Sequence, residues 1–169
     1  DPPAGADGRR IILYSGNWGV AHDHATFIAG FAAFCRATPD AACLWLNATG
    51  KRADLVEAEL ERQGLPFVRT APAPLQALPG ILCAADVHLI TLDDRFVGYV
   101  MPSKVYACIA SRRPILFVGS AQSDVHLLCA RQVPPGRYRR VDVGDAEAVT
   151  AALASLLAVA GAEAGRGAH

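Results

Sequence analysis

The sequence predicts an α/β fold: a single doubly wound, Rossmann-like domain of about six parallel strands with helices on both faces. Three observations predict it. Short apolar runs alternate with longer segments of helical periodicity along nearly the whole chain. The runs are continuously apolar, as in strands covered on both faces, rather than alternating with polar residues. Several of them end at small or polar residues that suit a loop leaving a sheet, as at Ser15-Gly16, Asn47 and Gly119. Length and composition agree, since 169 residues suit one domain and 52% hydrophobic residues against 19% charged supply a sizeable core.

The elements follow in order. Ile11 to Tyr14 reads as the first strand, and Phe27, Phe31, Phe34 and Cys35 share one face of the helix after it. Cys43 to Leu46 is the second strand, followed by a charged helix from Lys51 to Arg62 that Gly64 stops. Phe67 and Val68 make a third strand, then a Pro-rich turn leads to an apolar helix from Leu78 to Ala84. Val87 to Ile90 is the fourth strand. The next helix opens at Pro102, takes Ser103 as its cap and carries Val105, Cys108 and Ile109. Pro114 to Val118 is the fifth strand, Asp124 to Cys129 a helix and Tyr138 to Val143 the sixth strand. In the last helix, Ala146 to Leu157, Val149, Leu153, Leu156 and Leu157 form the stripe expected to be buried. Residues 1–8 read as a disordered lead, 9–160 as the domain and 161–169 as a flexible tail.

Composition narrows the function classes. Sixteen basic residues balance sixteen acidic ones, which argues against a nucleic-acid partner; Arg137, Arg139 and Arg140 read as a solvated strand face. The five cysteines form no C-x-x-C pair and read as buried thiols of a cytoplasmic protein. No signal peptide is visible, and the uncharged run from Ala148 to Ala162 reads as too short for a transmembrane segment. The opening Asp1-Pro2-Pro3-Ala4-Gly5 is what a fragment cut at a linker would show.

Ligands of doubly wound sheets sit at the carboxyl ends of the strands, near the switch in strand order. The first such loop includes Gly16, Asn17, Gly19, His22, Asp23 and His24. Glycines between a strand and a helix let backbone N–H groups approach a phosphate, although a plain tight turn has the same look. The spacing is G-x-x-G rather than G-x-G-x-x-G, and strand two ends in Asn47 rather than an acid, so a dinucleotide cofactor is disfavoured. The second loop places Thr49, Gly50, Lys51 and Arg52 at the mouth of the sheet, with two cations suited to a diphosphate. The fourth runs from Asp93 to Ser103 and Lys104. Lys51, Arg52 and Lys104 all stand at helix starts, where a cation opposes the helix dipole unless an anion docks. The pairs His22/His24 and Asp93/Asp94 lack further matched ligands, so no metal is expected. No G-x-S-x-G arrangement supports a hydrolase.

These loops, in this order, resemble the C-terminal domain of group 1 (family 4) glycosyltransferases of GT-B fold. Leu13 to His24 resembles the strand and loop that begin that domain, and Thr49-Gly50-Lys51-Arg52 its glycine and basic loop. Ala84 to Leu89 is similar to its A-D-V strand. Pro102-Ser103-Lys104-Val105-Tyr106, followed by Ala110 to Ile115, is similar to its P-S-K helix and A-x-G-R-P segment. The resemblance implies a domain that binds a nucleotide sugar, without cofactor or metal, and a further N-terminal acceptor-binding domain in the same protein. The whole enzyme would then transfer a hexosyl group from a nucleotide diphosphate sugar such as a UDP-sugar to a glycan or lipid-linked acceptor, as in polysaccharide biosynthesis. It would be cytoplasmic, with peripheral contact at the inner membrane, and the fragment alone would be inactive.

By position, the resemblance sets the first loop against the donor phosphates, with Lys51 or Arg52 and Lys104 on the diphosphate. Thr70 to Ala73, with Ala71 between them, would border the base, and His22 or Asp23 would bond the sugar. The family's E-x7-E pair falls on Tyr99 and Ala107, neither acidic, so no catalytic residue is assigned. A GT-B-like epimerase half and a non-catalytic interaction module are the alternatives.

Overall fold

A computed structural model of the chain describes residues 1–99 and 103–166. Six strands are present: β1 (Arg10–Asn17), β2 (Ala42–Thr49), β3 (Phe67–Thr70), β4 (Val87–Thr91), β5 (Ile115–Val118) and β6 (Tyr138–Val141). They alternate with six α-helices: α1 (Ala25–Ala37), α2 (Lys51–Gln63), α3 (Leu78–Ala84), α4 (Lys104–Ala110), α5 (Asp124–Gln132) and α6 (Ala146–Arg166). All strand pairs are parallel, in the order β3-β2-β1-β4-β5-β6. That order reverses direction between β1 and β4, so the fold is the doubly wound α/β arrangement read from the sequence.

Both faces of the sheet are covered over β1, β2, β4 and β5, which explains their apolar runs, whereas the edge strands β3 and β6 are partly exposed and carry Arg69, Arg139 and Arg140. Ile12, Leu44, Val87 and Leu116 face one core with Phe27 and Phe31 of α1, Val56 and Leu60 of α2 and Leu153 of α6. Ile11, Leu13 and Trp45 face the other way onto Leu82 of α3, while Ile90, Ile115 and Phe117 pack on Val105 of α4 and Val125 of α5. Successive residues of one strand therefore serve opposite layers.

Several expectations are corrected. β1 runs to Asn17, so Gly16 and Asn17 end a strand rather than sit in a loop. The lead is not structureless: it has two turns, and Ala6 is buried against the core that holds Ile11 and Trp45. α6 continues through most of the expected tail to Arg166, where Glu163 accepts a hydrogen bond from Arg137; residues 167–169 lie outside the described residues. Its span Ala146–Gly165 is long and apolar enough to cross a bilayer by length and composition, contrary to the short run expected. Here it is a core helix, with Val149, Leu153 and Leu156 buried and Val149 packed against Gly30 of α1. Cys83 is exposed and Cys35 half-buried, so only Cys43, Cys108 and Cys129 are the buried thiols expected. The arginines near β6 are engaged rather than merely solvated: Arg137 bonds Glu163, Arg139 bonds Ser155 and Arg140 bonds Asp142.

Candidate functional site at the carboxyl edge of the sheet

The β1–β2 ladder continues to Asn17 opposite Thr49, but β1 pairs with β4 only as far as Leu13 opposite His88. Past Leu13 the sheet splits at the switch point and a crevice opens. Lys104, the first residue of α4, lines the cavity there, of about 280 Å³, with Ser15, Gly16 and His88. Its ammonium lies 3.1 Å from the centroid of the Tyr14 ring, which itself stacks on Trp18 at 3.8 Å. A Cβ on Gly16 would stand 4.0 Å from the Lys104 stem, and the φ of +124° there favours glycine.

The Lys104 ammonium is fully buried and has no hydrogen-bond partner. Burial pushes it down to about 7, because a low-dielectric site penalises the charged form. His88, in the same cavity, is pushed down to about 4 by burial and by the charge of Lys104, so it is neutral. Its Nε2 lies 2.9 Å from the Ser111 hydroxyl, which donates to the Cys108 carbonyl.

The loop after β1 is tied to both neighbouring strands. Trp18 N–H donates to the Thr49 carbonyl at 2.9 Å, and Asp93 N–H donates to the Ala21 carbonyl at 2.8 Å. His22 Nδ1 lies 2.7 Å from the Thr91 carbonyl, and since a carbonyl only accepts, that nitrogen carries the proton. Nε2 is then the free acceptor. Burial first, then the charges of Lys104 and Arg52, lower the His22 pKa against that hydrogen bond. The two cations therefore act on one ring from different elements. Asp23 accepts from Thr26, and burial raises its pKa, while its Oδ2 is buried without a partner. Among the described residues four buried side-chain polar atoms lack a partner: Arg9 Nε, Asp23 Oδ2, Thr91 Oγ1 and Lys104 Nζ. Three of the four lie around His22.

Gly50 is needed sterically. Its φ is +101°, and a Cβ would stand 2.4 Å from Asn17 Oδ1 and 2.8 Å from the Trp18 carbonyl oxygen. Arg52 reaches back from α2, with Nη1 3.2 Å from His24 Nδ1, whose pKa falls through burial and the Arg52 charge. The two histidine rings thus have separate partners, and among the described residues no group of three or more His, Cys, Asp or Glu could hold a metal.

Of the residues singled out from sequence, Gly16, Asn17, Gly19, His22, Asp23, Thr49, Gly50, Arg52 and Lys104 surround one edge. Lys51, the first residue of α2, is exposed. Thr70 and Ala71 join through Asn47, whose Nδ2 donates to Thr70 Oγ1 and to the Ala71 carbonyl, each at 2.8 Å. The Ser15 hydroxyl donates to Asn47 Oδ1 at 3.3 Å, so Asn47 links three strands. One expectation at α4 is corrected. Ser103 is exposed, in helical conformation, and makes no capping bond. Lys104 stands at the helix start as expected, and its side chain folds into the crevice, where burial adds to the cost of its charge. Pro102, expected to open this helix, lies outside the described residues. Sequence reasoning did not assign Tyr14, Asn47 or His88 to the site; the one available signal was the place of Tyr14 and Asn47 in the carboxyl halves of apolar strands, and His88, second in β4, had none.

No family model matches the sequence, and none of the curated proteins matches it. Solved structures do. The catalytic domain of cholesterol-α-glucosyltransferase from Helicobacter pylori superposes with a TM-score of 0.67 at 13% identity, over 88% of this chain and 86% of that one. The fold is that of GT-B glycosyltransferases. Sucrose-phosphate synthase from Thermosynechococcus elongatus gives a TM-score of 0.65 at 16% identity, over 95% of this chain and 41% of that one. HepE of Anabaena, solved in complex with UDP and glucose, gives 0.61 at 14% identity, over 96% of this chain and 45% of that one. The chain thus spans under half the length of the last two.

Proposed function

We propose that the chain is the donor-binding half of a glycosyltransferase and that its carboxyl-edge crevice receives the diphosphate and sugar of a nucleotide sugar. The observation that carries this reading is the concentration of unpartnered buried polar atoms at one edge. Such groups are rare and costly in folded proteins, and each calls for a partner. Lys104 Nζ needs an anion. Asp23 Oδ2 needs a donor, such as a sugar hydroxyl, and His22 Nε2 and Thr91 Oγ1 stand beside them. A ligand carrying both a phosphate and hydroxyls satisfies the set. The GT-B fold supports it, as does the binding of UDP and glucose by the neighbour from Anabaena.

In this reading Lys104 and Arg52 hold the diphosphate, and the bare backbone at Gly16 and Gly50 lets it approach. Thr70 and Ala71, fixed by Asn47, border the base. The acceptor domain and the transfer step belong to a longer, cytoplasmic protein, with no cofactor or metal assigned. Calorimetric titration of UDP and uridine, on the unmodified chain and on Lys104→Ala, tests the proposal. A charge-assisted contact contributes about 1.5–3 kcal/mol, so the substitution should weaken UDP binding roughly ten- to a hundred-fold and leave uridine almost unaffected. Equal losses for both ligands would assign Lys104 to the fold. No binding of UDP or any other nucleoside diphosphate would favour the non-catalytic module.

A further inference from the structure

Just past the last turn of α4, Arg112 adopts a φ of +59°. Long side chains rarely accept this left-handed conformation, which costs backbone energy that glycine avoids. The other non-glycine residues with positive φ are Asp7 and Asp40, of the short polar type that tolerates it. The Arg112 side chain lines a cavity of about 340 Å³ with Arg113 and Arg137, walled by Ile109, Val133 and Pro134. The arginines precede β5 or β6, so the cavity lies at the amino edge of the sheet, opposite the Lys104 crevice.

Arg137 is held in place. Its Nη1 donates to the Arg112 carbonyl at 3.0 Å and its Nη2 to the Glu163 carboxylate. Among the described residues, the guanidiniums of Arg112 and Arg113 have no hydrogen-bond or acidic partner. Glu163 thus offsets one of three positive charges, and two remain beside an apolar wall.

We propose that this cavity is a second anion site that binds a phosphomonoester. Guanidinium forks match phosphate oxygens in bidentate fashion, and a dianion balances the two unpaired charges. The organic part of the ester packs on Ile109, Val133 and Pro134. A soluble ester and a phospholipid headgroup share this chemistry.

Titration of the isotope-labelled chain with phenyl phosphate, followed through its amide resonances, tests the site. The amides of Arg112, Arg113 and Val133 should shift together. Arg112→Gly removes one guanidinium while supplying the residue best suited to the backbone, so its Tm should hold or rise. Its affinity for phenyl phosphate should fall ten-fold or more. Co-sedimentation with phosphatidylcholine vesicles containing phosphatidic acid, lost in Arg112→Gly, would place the same phosphate on a lipid. Shifts confined to the carboxyl edge, or equal affinity in Arg112→Gly, would overturn the proposal. UDP titration of the same variant reads the other edge independently.

Discussion

Replacing Lys104 with methionine keeps an unbranched side chain and removes the charge, so it separates what the ammonium costs the fold from what it gives a ligand. The ordinary lysine value of 10.5 falls to about 7 in the crevice. At about 1.4 kcal/mol per unit, the charged form carries a folding penalty of up to about 5 kcal/mol at neutral pH. Because the folded value lies below the unfolded one, stability is greatest above the unfolded value. It declines as pH falls towards 7 and is lowest below that. The contact with the Tyr14 ring offsets about 1–2 kcal/mol of the penalty. Lys104→Met should therefore stabilise the ligand-free chain at pH 7 by at least about 1 kcal/mol, or roughly 2–4 °C in Tm for a chain of this size. Near pH 10 most of the gain should vanish, since the unmodified amine is then neutral in the fold and the pH lies close to its ordinary value, where giving up the proton costs little. Differential scanning calorimetry at the two pH values, with and without UDP, reads both effects. The variant should be more stable without UDP and gain less from it. A lower Tm at pH 7, or the same change at both pH values, would refute the burial argument.

Other outcomes follow from the same geometry. Binding an anion should recharge Lys104, so UDP affinity should decline as pH rises above about 7, and titrations near pH 8 in buffers of different ionisation enthalpy should show net proton uptake. Gly50→Ala puts a methyl group 2.4 Å from Asn17 Oδ1 at a φ of +101°; it should cost at least about 2 kcal/mol in denaturant unfolding. Asn47→Ala removes the side-chain bonds that tie the end of β2 to Thr70 and Ala71 and should cost about 1–3 kcal/mol, with the amides of Thr70 and Ala71 losing exchange protection. The five cysteines are free thiols, so mass spectrometry after thiol blocking, on protein prepared without reductant, should find no intramolecular disulfide.

Local pattern determined much of this protein by itself. Unbroken apolar runs such as Cys43 to Leu46, set between periodic segments such as Phe27-Phe31-Phe34, require strands covered on both faces, and a parallel sheet follows. Glycine at position 50 marked a tight approach, and lysine at 104 marked a charge in an unfavourable place. Element ends were less legible. β1 gains its last residues from pairing with β2, and α6 extends to Arg166 through its packing on α1 and the Arg137–Glu163 pair, contacts made by residues remote in sequence. Tertiary structure alone decided how the site is charged. The sheet splits past Leu13, so Lys104 turns into the crevice onto Tyr14, and the desolvation of its ammonium depends on atoms contributed by other strands. Asn47 read in sequence as the polar residue that ends strand two, and His88 as an ordinary strand residue. Only the register of β2 with β3 makes Asn47 the link to Thr70, and only the packing of α4 beside β4 sets His88 in the cavity with Lys104, because hydrogen bonds and burial belong to neighbours in space.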